Sequence, residues 1–199
     1  CERVKQHLEQ GTGVRNIVTT DEEKIWLKDL QLMSAKPILY VANVDSAQLA
    51  DESAVAPLRS IATAEGADIV AIDAKIESEI AELSPTEQVE YLKELGLDEP
   101  GLNKVIRAGY KLLDLITFLT TGPDETRAWT IKTGTKAPQA AGVIHTDFER
   151  GFIRAEIVSY ADLIAAGSMK KASELGRVRQ EGKEYVMQDG DITYFKFNV

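Results

Sequence analysis

Apolar positions follow two rhythms along this chain. Up to about residue 114 most of them recur every three or four residues, and beyond about residue 121 they alternate. Val4 and Leu8 stand four apart, then Trp26 and Leu30, so residues 1–10 and 21–33 predict helices broken by Gly11-Thr12-Gly13. Two turns of pattern fit a helical hairpin or a short coiled coil. Ile38-Leu39-Tyr40-Val41-Ala42 is a continuous apolar run of strand length, read as buried on both faces. Residues 51–65 carry Val55, Leu58, Ile61 and Ala62 at helical spacing, and Gly66 supplies a stop. Asp68-Ile69-Val70-Ala71-Ile72 predicts a second buried strand. Strand, helix, strand at this spacing predicts a right-handed parallel unit. Both strands then end on one sheet edge, so Asn43–Ser46 and Asp73–Lys75 are expected side by side where open parallel sheets bind ligands.

Helices continue after that unit. Ile76, Ile80 and Leu83 share a face, and Ser84-Pro85-Thr86-Glu87 carries the cap, first-turn proline and Glu of a helix start. Val89, Leu92 and Leu95 predict its apolar stripe, and Ile106, Tyr110 and Leu113 mark another helix. After Thr121-Gly122-Pro123 strands take over. Ala128–Ile131 is one, with the turn Thr133-Gly134-Thr135 behind it, and a helix is expected near 138–147. Ile153, Ala155 and Ile157 alternate with Arg154, Glu156 and Val158, so one face is buried. Asp189-Gly190-Asp191 reads as a hairpin turn, after which Phe195, Phe197 and Val199 alternate with Tyr194, Lys196 and Asn198. The second part predicts a small mixed sheet crossed by a helix.

Composition narrows the chemistry. The 199 residues are 44% hydrophobic, an ordinary globular value. One cysteine cannot close an internal disulfide, and two distant histidines, His7 and His145, make a histidine-based zinc site a poor fit. A reducing cytoplasm is the expected compartment. No apolar run reaches the roughly 18 residues of a membrane span, so no membrane partner is expected. Position 1 is Cys, and the first 30 residues have no signal-peptide core; the expectation is a C-terminal portion of a longer protein. Residues 1–114 hold 12 bases and 21 acids, whereas residues 115–199 hold 11 of each. The acidic first part is poorly suited to phosphate backbones, and DNA is not an expected partner.

The run Arg127-Ala-Trp-Thr-Ile-Lys-Thr-Gly-Thr-Lys-Ala-Pro-Gln-Ala-Ala-Gly-Val-Ile-His-Thr-Asp-Phe-Glu-Arg-Gly-Phe-Ile153 closely resembles the TGS domain of the YchF / Obg-like ATPase family. The closing segment 181–199, the run Ile76–Leu83 and Ile106-Arg-Ala-Gly-Tyr110 fit the same family, so the resemblance covers roughly Leu32 to the end. It implies an α/β fold: the C-terminal part of a P-loop GTPase-like parallel sheet with a helical-hairpin remnant, then a ubiquitin-like β-grasp (TGS) domain. The implied domains are 1–34 for the hairpin remnant, 35–114 for the nucleotide-binding part and 115–199 for the TGS domain. It further implies ATP or GTP binding and hydrolysis as a translation-linked switch, with ribosome or ribosomal RNA as partner.

No Gly-x-x-x-x-Gly-Lys-Ser/Thr occurs in the chain. Without it nothing cradles the β-phosphate or places a Mg²⁺-binding hydroxyl. The Mg²⁺ ligands and hydrolytic groups are therefore expected upstream of residue 1, with no catalytic residue here, and the chain alone is expected to be inactive.

Base reading is expected from Asn43, Val44, Asp45, Ser46, Asp73, Ala74 and Lys75. The related GTPases read guanine with an Asn-Lys-x-Asp motif, and the family resembles Asn-Val/Met/Leu-x-Glu; here the stretch is Asn43-Val44-Asp45-Ser46. Ser46 has no carboxylate for guanine. A buried Asn43 amide can serve adenine's polar edge, with Val44 as an apolar or backbone contact. Asp45 is expected to point the other way. Asp73-Ala74-Lys75 aligns with the family's Ser-Ala-Lys/Leu loop, where a backbone N–H near Ala74 reaches the base. On spacing alone Asp73 reads equally as a helix cap. His145 reads as packing or capping, and Trp129 as a core or sheet-face residue. Arg127, Arg154, Lys170, Lys171, Arg177 and Arg179 can supply phosphate contacts. The alternative function is a non-catalytic RNA- or protein-binding module acting through the TGS domain.

Overall fold

A computed structural model describes residues 2–17, 19–49, 51–122 and 125–198. Cys1, Pro123 and Val199, which figure in the reading above, lie outside the described residues. The chain forms two compact units, Cys1–Leu112 and Leu113–Val199.

The first unit opens with α1 (Glu2–Glu9) and α2 (Asp21–Asp29). Thr20 and Glu23 cap α2 reciprocally: Thr20 Oγ accepts from the Glu23 N–H at 3.2 Å, and Glu23 accepts from the Thr20 N–H at 3.0 Å. The helix expected to reach residue 33 ends at Asp29, and a 3₁₀ turn, Met33–Ala35, follows. Neither α1 nor α2 buries a residue.

Next come β1 (Leu39–Asn43), α3 (Ser46–Leu49), α4 (Glu52–Ala64) and β2 (Asp68–Ile72). Gly66, at φ +65°, ends α4 in the left-handed conformation that glycine adopts without strain. The strands pair in parallel, from Leu39 opposite Asp68 to Asn43 opposite Ile72. Their expected burial on both faces is not observed. Ala42 is buried but Val41 is 43% exposed. Among the described residues this sheet has two strands only, and although α4 packs on them, too little surrounds the pair to cover every face.

Three helices complete the unit: α5 (Ala74–Glu82), α6 (Pro85–Glu94) and α7 (Gly101–Leu112). Ile76 and Ile80 of α5 bury against Leu92 of α6. The Glu87 carboxylate accepts from the Ser84 N–H at 2.9 Å, as the helix-start pattern predicts. The predicted α6 stripe is only partly buried: Leu92 is covered, while Val89 and Leu95 face solvent. α7 exists where expected and packs on β1 and β2, yet Ile106, Tyr110 and the adjoining Leu113 are exposed.

The second unit begins with β3 (Leu115–Thr121) and β4 (Thr126–Lys132). It continues with α8 (Ala137–Ile144), α9 (Thr146–Arg150) and β5 (Phe152–Ser159). The chain closes with α10 (Tyr160–Ala166), α11 (Met169–Glu174), β6 (Arg179–Glu181) and β7 (Asp191–Phe197). The sheet order is β4-β3-β7-β5-β6, with β3 and β7 parallel and the other neighbours antiparallel. Helices serve both faces. Phe118, Ile131, Ile157 and Phe195 bury against Ala137, Ala140 and Ala141 of α8. Val158 and Ile192, opposite one another in register, bury on the other face with Ala166 and Ala172.

Four expectations change here. β3 is a central strand, although strands were expected only after residue 121; its continuous Leu-Ile-Thr-Phe-Leu run suits a strand with partners on both sides. The helix expected over 138–147 breaks at His145, whose extended backbone separates α8 from α9. Ile153 is 53% exposed because β5 has a register shift between Phe152 and Arg154. Asp189-Gly190-Asp191 turns the chain but joins no hairpin. Gly190 N–H donates to the Thr117 carbonyl and Asp189 accepts from the Thr117 N–H, each at 2.8 Å, so the turn fastens β7 to β3.

Candidate functional site

The parallel register brings the two predicted loops together. Beyond the last strand pair, the Val44 N–H donates to the Ile72 carbonyl at 2.9 Å. The Ala74 N–H donates to Asn43 Oδ1 at 3.1 Å, and Ser46 Oγ donates to Asp73 Oδ2 at 2.9 Å. Three bonds thus tie residues 43–46 to residues 72–74 at the carboxyl edge of the pair.

Asp73 is the anchor. The residue is 7% exposed. Oδ1 accepts from the Lys75 and Ile76 N–H groups at 3.0 and 3.2 Å and so caps α5. Burial works against its charge, but the Ile76 N–H, the Ser46 hydroxyl, the Lys75 N–H and the Lys75 charge together hold the carboxyl below its ordinary range. Asp73 does serve as the helix cap that spacing alone suggests. Its neighbours Ala74 and Lys75 are exposed.

The remaining predicted residues fall as follows. Asn43 was expected to be buried and is exposed, because β1 ends there and nothing described lies over the strand end. With Oδ1 bonded to Ala74, the Asn43 NH₂ remains as a donor toward a ligand. The Ala74 N–H, expected to reach a base, is instead occupied by Asn43. Asp45 caps the short α3: Oδ1 accepts from the Gln48 N–H at 2.9 Å and Gln48 Oε1 accepts from the Asp45 N–H at 3.2 Å. Both acids at this edge are therefore engaged internally.

Sequence reasoning missed the Ser46–Asp73 bond. The signal was present in two departures taken together. The resemblance implies an acid at 46 and a serine at 73, and this chain has the serine at 46 and the acid at 73. In this chain the serine and the acid meet as a hydroxyl–carboxylate pair.

In the second unit, His145 Nδ1 accepts from the Asp147 N–H at 3.2 Å, which settles its role as a cap. Trp129 is half-buried on the first sheet face and its indole N–H donates to Thr120 Oγ1 at 2.9 Å. Four of the six cations offered for phosphate contact are engaged: Arg127 lies over the Trp129 ring, Arg154 pairs with Glu156, Arg177 pairs with Asp162, and Arg179 donates to the Tyr185 hydroxyl.

Residues 115–198 match the family described as YchF-GTPase_C, Protein of unknown function (DUF933). The ribosome-binding ATPase YchF of Bacillus subtilis (strain 168) is 52% identical over 200 residues, covering 99% of this chain and 55% of that protein. The chain belongs to the YchF / Obg-like ATPase family. The protein of the same name from Haemophilus influenzae is 48% identical over 198 residues, covering 100% of this chain and 54% of that relative. Among solved structures, the Schizosaccharomyces pombe YchF GTPase superposes with a TM-score of 0.82 at 36% identity, covering 98% of this chain and 53% of that one. The chain thus spans about half the length of the curated family members it matches. Its mixed α/β fold is that of the family structure.

Among the described residues no three His, Cys, Asp or Glu side chains are grouped to hold a metal ion. Among the described residues, then, no such cluster is offered to the Mg²⁺ that the family resemblance implies. No described helix is long and apolar enough to cross a membrane.

Proposed function

We propose that this chain contributes the base-reading edge and a ribosome-facing module to a cytoplasmic, nucleotide-hydrolysing protein that acts as a translation-linked switch. The relatives' names, ribosome-binding ATPase and YchF GTPase, support nucleotide and ribosome as partners. In this reading, residues 1–34 are the remnant of a helical hairpin, residues 35–114 the closing part of the nucleotide domain, and residues 115–199 a TGS-type β-grasp. The β4-β3-β7-β5-β6 order, with its inner pair parallel, supports the last assignment.

The observation that carries the reading is the Asn43–Ala74 bond across the carboxyl edge of the parallel pair. It fixes the Asn43 amide with its NH₂ outward, a donor for a purine ring nitrogen. Val44, Asp45, Ser46, Asp73 and Lys75 shape the surrounding edge. Guanine needs a carboxylate to accept from its ring N–H and exocyclic amine. Asp73 already has three donors and Asp45 caps α3, so the edge favours adenine. Phosphate and Mg²⁺ contacts, and the hydrolytic step, belong to groups outside these residues, so a phosphate-release assay on this chain gives no nucleotide-dependent signal.

Calorimetric titration with ATP and GTP tests the assignment. ATP binds more tightly, and Asn43→Ala weakens it by about 1–3 kcal/mol. Equal affinities would remove the adenine preference, and an unchanged Asn43→Ala affinity would place the base elsewhere.

One observation favours the alternative of a non-catalytic binding module. On the second sheet face Tyr194 is 52% exposed, Lys196 lies over its ring, and Arg154 stands opposite Lys196 in register, with Glu156 3.9 Å from both cations. An exposed aromatic beside cations suits RNA. Co-sedimentation of residues 115–199 with ribosomes separates the readings: pelleting without the first unit, indifferent to nucleotide, supports the module.

A further inference from the structure

We infer that the cleft built by residues 15–37 of the first unit binds a small amphiphilic anion, an aliphatic body carrying one phosphate or carboxylate head. The cleft has a volume of about 990 Å³. That is the upper end of the range for ligand sites, roughly 300–1,000 Å³. None of its lining residues belongs to the base-reading edge.

Charge is segregated there. Arg15, Lys24, Lys28 and Lys36 line the cleft and no acid does, although acids outnumber bases 21 to 12 over residues 1–114. A concave site lined by one sign of charge focuses its field and draws in counter-charged ligands. The four cations are not equivalent. Arg15 is part of the frame: its Nε donates to the Lys36 carbonyl at 2.6 Å and its guanidinium pairs with Glu65 at 3.3 Å. Lys24 pairs with Asp21 at 2.8 Å. Among the described residues, the Lys28 and Lys36 ammoniums have no carboxylate within ion-pairing distance. Neither lysine charge is neutralised by a neighbouring carboxylate, so both stay available to an anion at the cleft.

The rest of the lining selects the body. Ile17, Leu27, Leu32, Ala35 and Pro37 give aliphatic walls, and no aromatic ring lines the cleft. A nucleobase would find no stacking platform, whereas an alkyl chain gains from leaving water at about 25 cal/mol per Å². The head can come from a free metabolite or from a membrane lipid, which share this chemistry.

Calorimetry of the 199-residue chain with dodecyl phosphate, below its critical micelle concentration, is the test. One-site binding is expected, at least tenfold tighter than for neutral dodecyl maltoside and weakening as NaCl rises from 50 to 500 mM. Replacing both lysines, Lys28→Gln with Lys36→Gln, weakens dodecyl phosphate at least tenfold and leaves dodecyl maltoside unchanged, which also reports that the cleft still folds. The control pair Lys93→Gln with Lys183→Gln, neither of which lines the cleft, removes the same charge and changes neither. Flotation with phosphatidic acid vesicles separates the sources: binding that dodecyl phosphate displaces assigns the head to a lipid, and monomer binding alone assigns it to a free metabolite. Equal affinity for the neutral amphiphile, equal weakening by the control pair, or salt-independent binding overturns the proposal.

Discussion

Phe118 and Trp26 are both large apolar side chains in regular elements, yet Phe118 meets no solvent and Trp26 is 57% exposed. The contrast follows the two units. In the second, five strands carry helices on both faces, and each face has its own buried cluster. In the first, among the described residues, α1, α2 and α7 bury no residue, and the sheet has two strands. An amphipathic element gains stability only when a second layer covers its stripe. In the first unit the loops at the candidate site are tied by hydrogen bonds and by the Asp73 cap, beside a smaller buried cluster of Ile76, Ile80 and Leu92.

Three measurements test that contrast. The largest effect is expected from Phe118→Ala, which removes a ring packed edge-on against Phe195 at 5.9 Å. It should cost about 3–5 kcal/mol in denaturant unfolding of the second unit. Trp26→Ala should stay within about 0.5 kcal/mol. Comparable losses for the two would erase the distinction.

Gly151→Ala comes next. A Cβ there would run into the backbone of Asn198, which pairs with Gly151 through its own N–H. Backbone cannot step aside cheaply, and a loss of about 1–3 kcal/mol is expected. In the first unit, Gly101→Ala meets side-chain atoms of Glu77 and Ile72 at 2.9 Å, a milder clash than the closer approach to the Asn198 carbonyl at Gly151. Thermal unfolding should rank Gly151→Ala well above Gly101→Ala; the reverse order would mean the first unit is the more tightly packed.

The smallest effect concerns Asp73. Its folded carboxyl titrates below the ordinary value, so its ionised form stabilises the fold above that ordinary value. The contribution is lost as pH falls through the folded value. Asp73→Asn should therefore lower the melting temperature at pH 7 and make little difference in strong acid. Ser46→Ala should raise the Asp73 carboxyl value, read by carbon NMR titration. A wild-type carboxyl titrating at its ordinary value would remove the polar anchor from the comparison.

The adjacency of the two loops at the candidate site was legible in the chain. Two apolar runs separated by a helix length imply a parallel pair, and a parallel pair implies adjacent ends; Asn43 and Ala74 do meet. Asp73 as a cap follows from its place between a strand and a helical pattern. What stayed hidden depended on partners distant in sequence. The Ser46–Asp73 bond spans 27 residues, and no local pattern demands it. β3 escaped notice because its run lacks alternation, and its position between β4 and β7 is what buries it. The cationic cleft escaped because Arg15, Lys28 and Lys36 are scattered among ordinary surface charges until the chain folds.

By itself, then, the order of residues determined the helix starts, the parallel crossover and the alternating strands of the closing sheet, since each depends on neighbours within a few positions or on chain geometry. Tertiary structure alone decided which stripes are covered, which acids are engaged and which cations remain unpaired. Burial and charge pairing are properties of a surface, and a surface exists only once distant segments have been brought together.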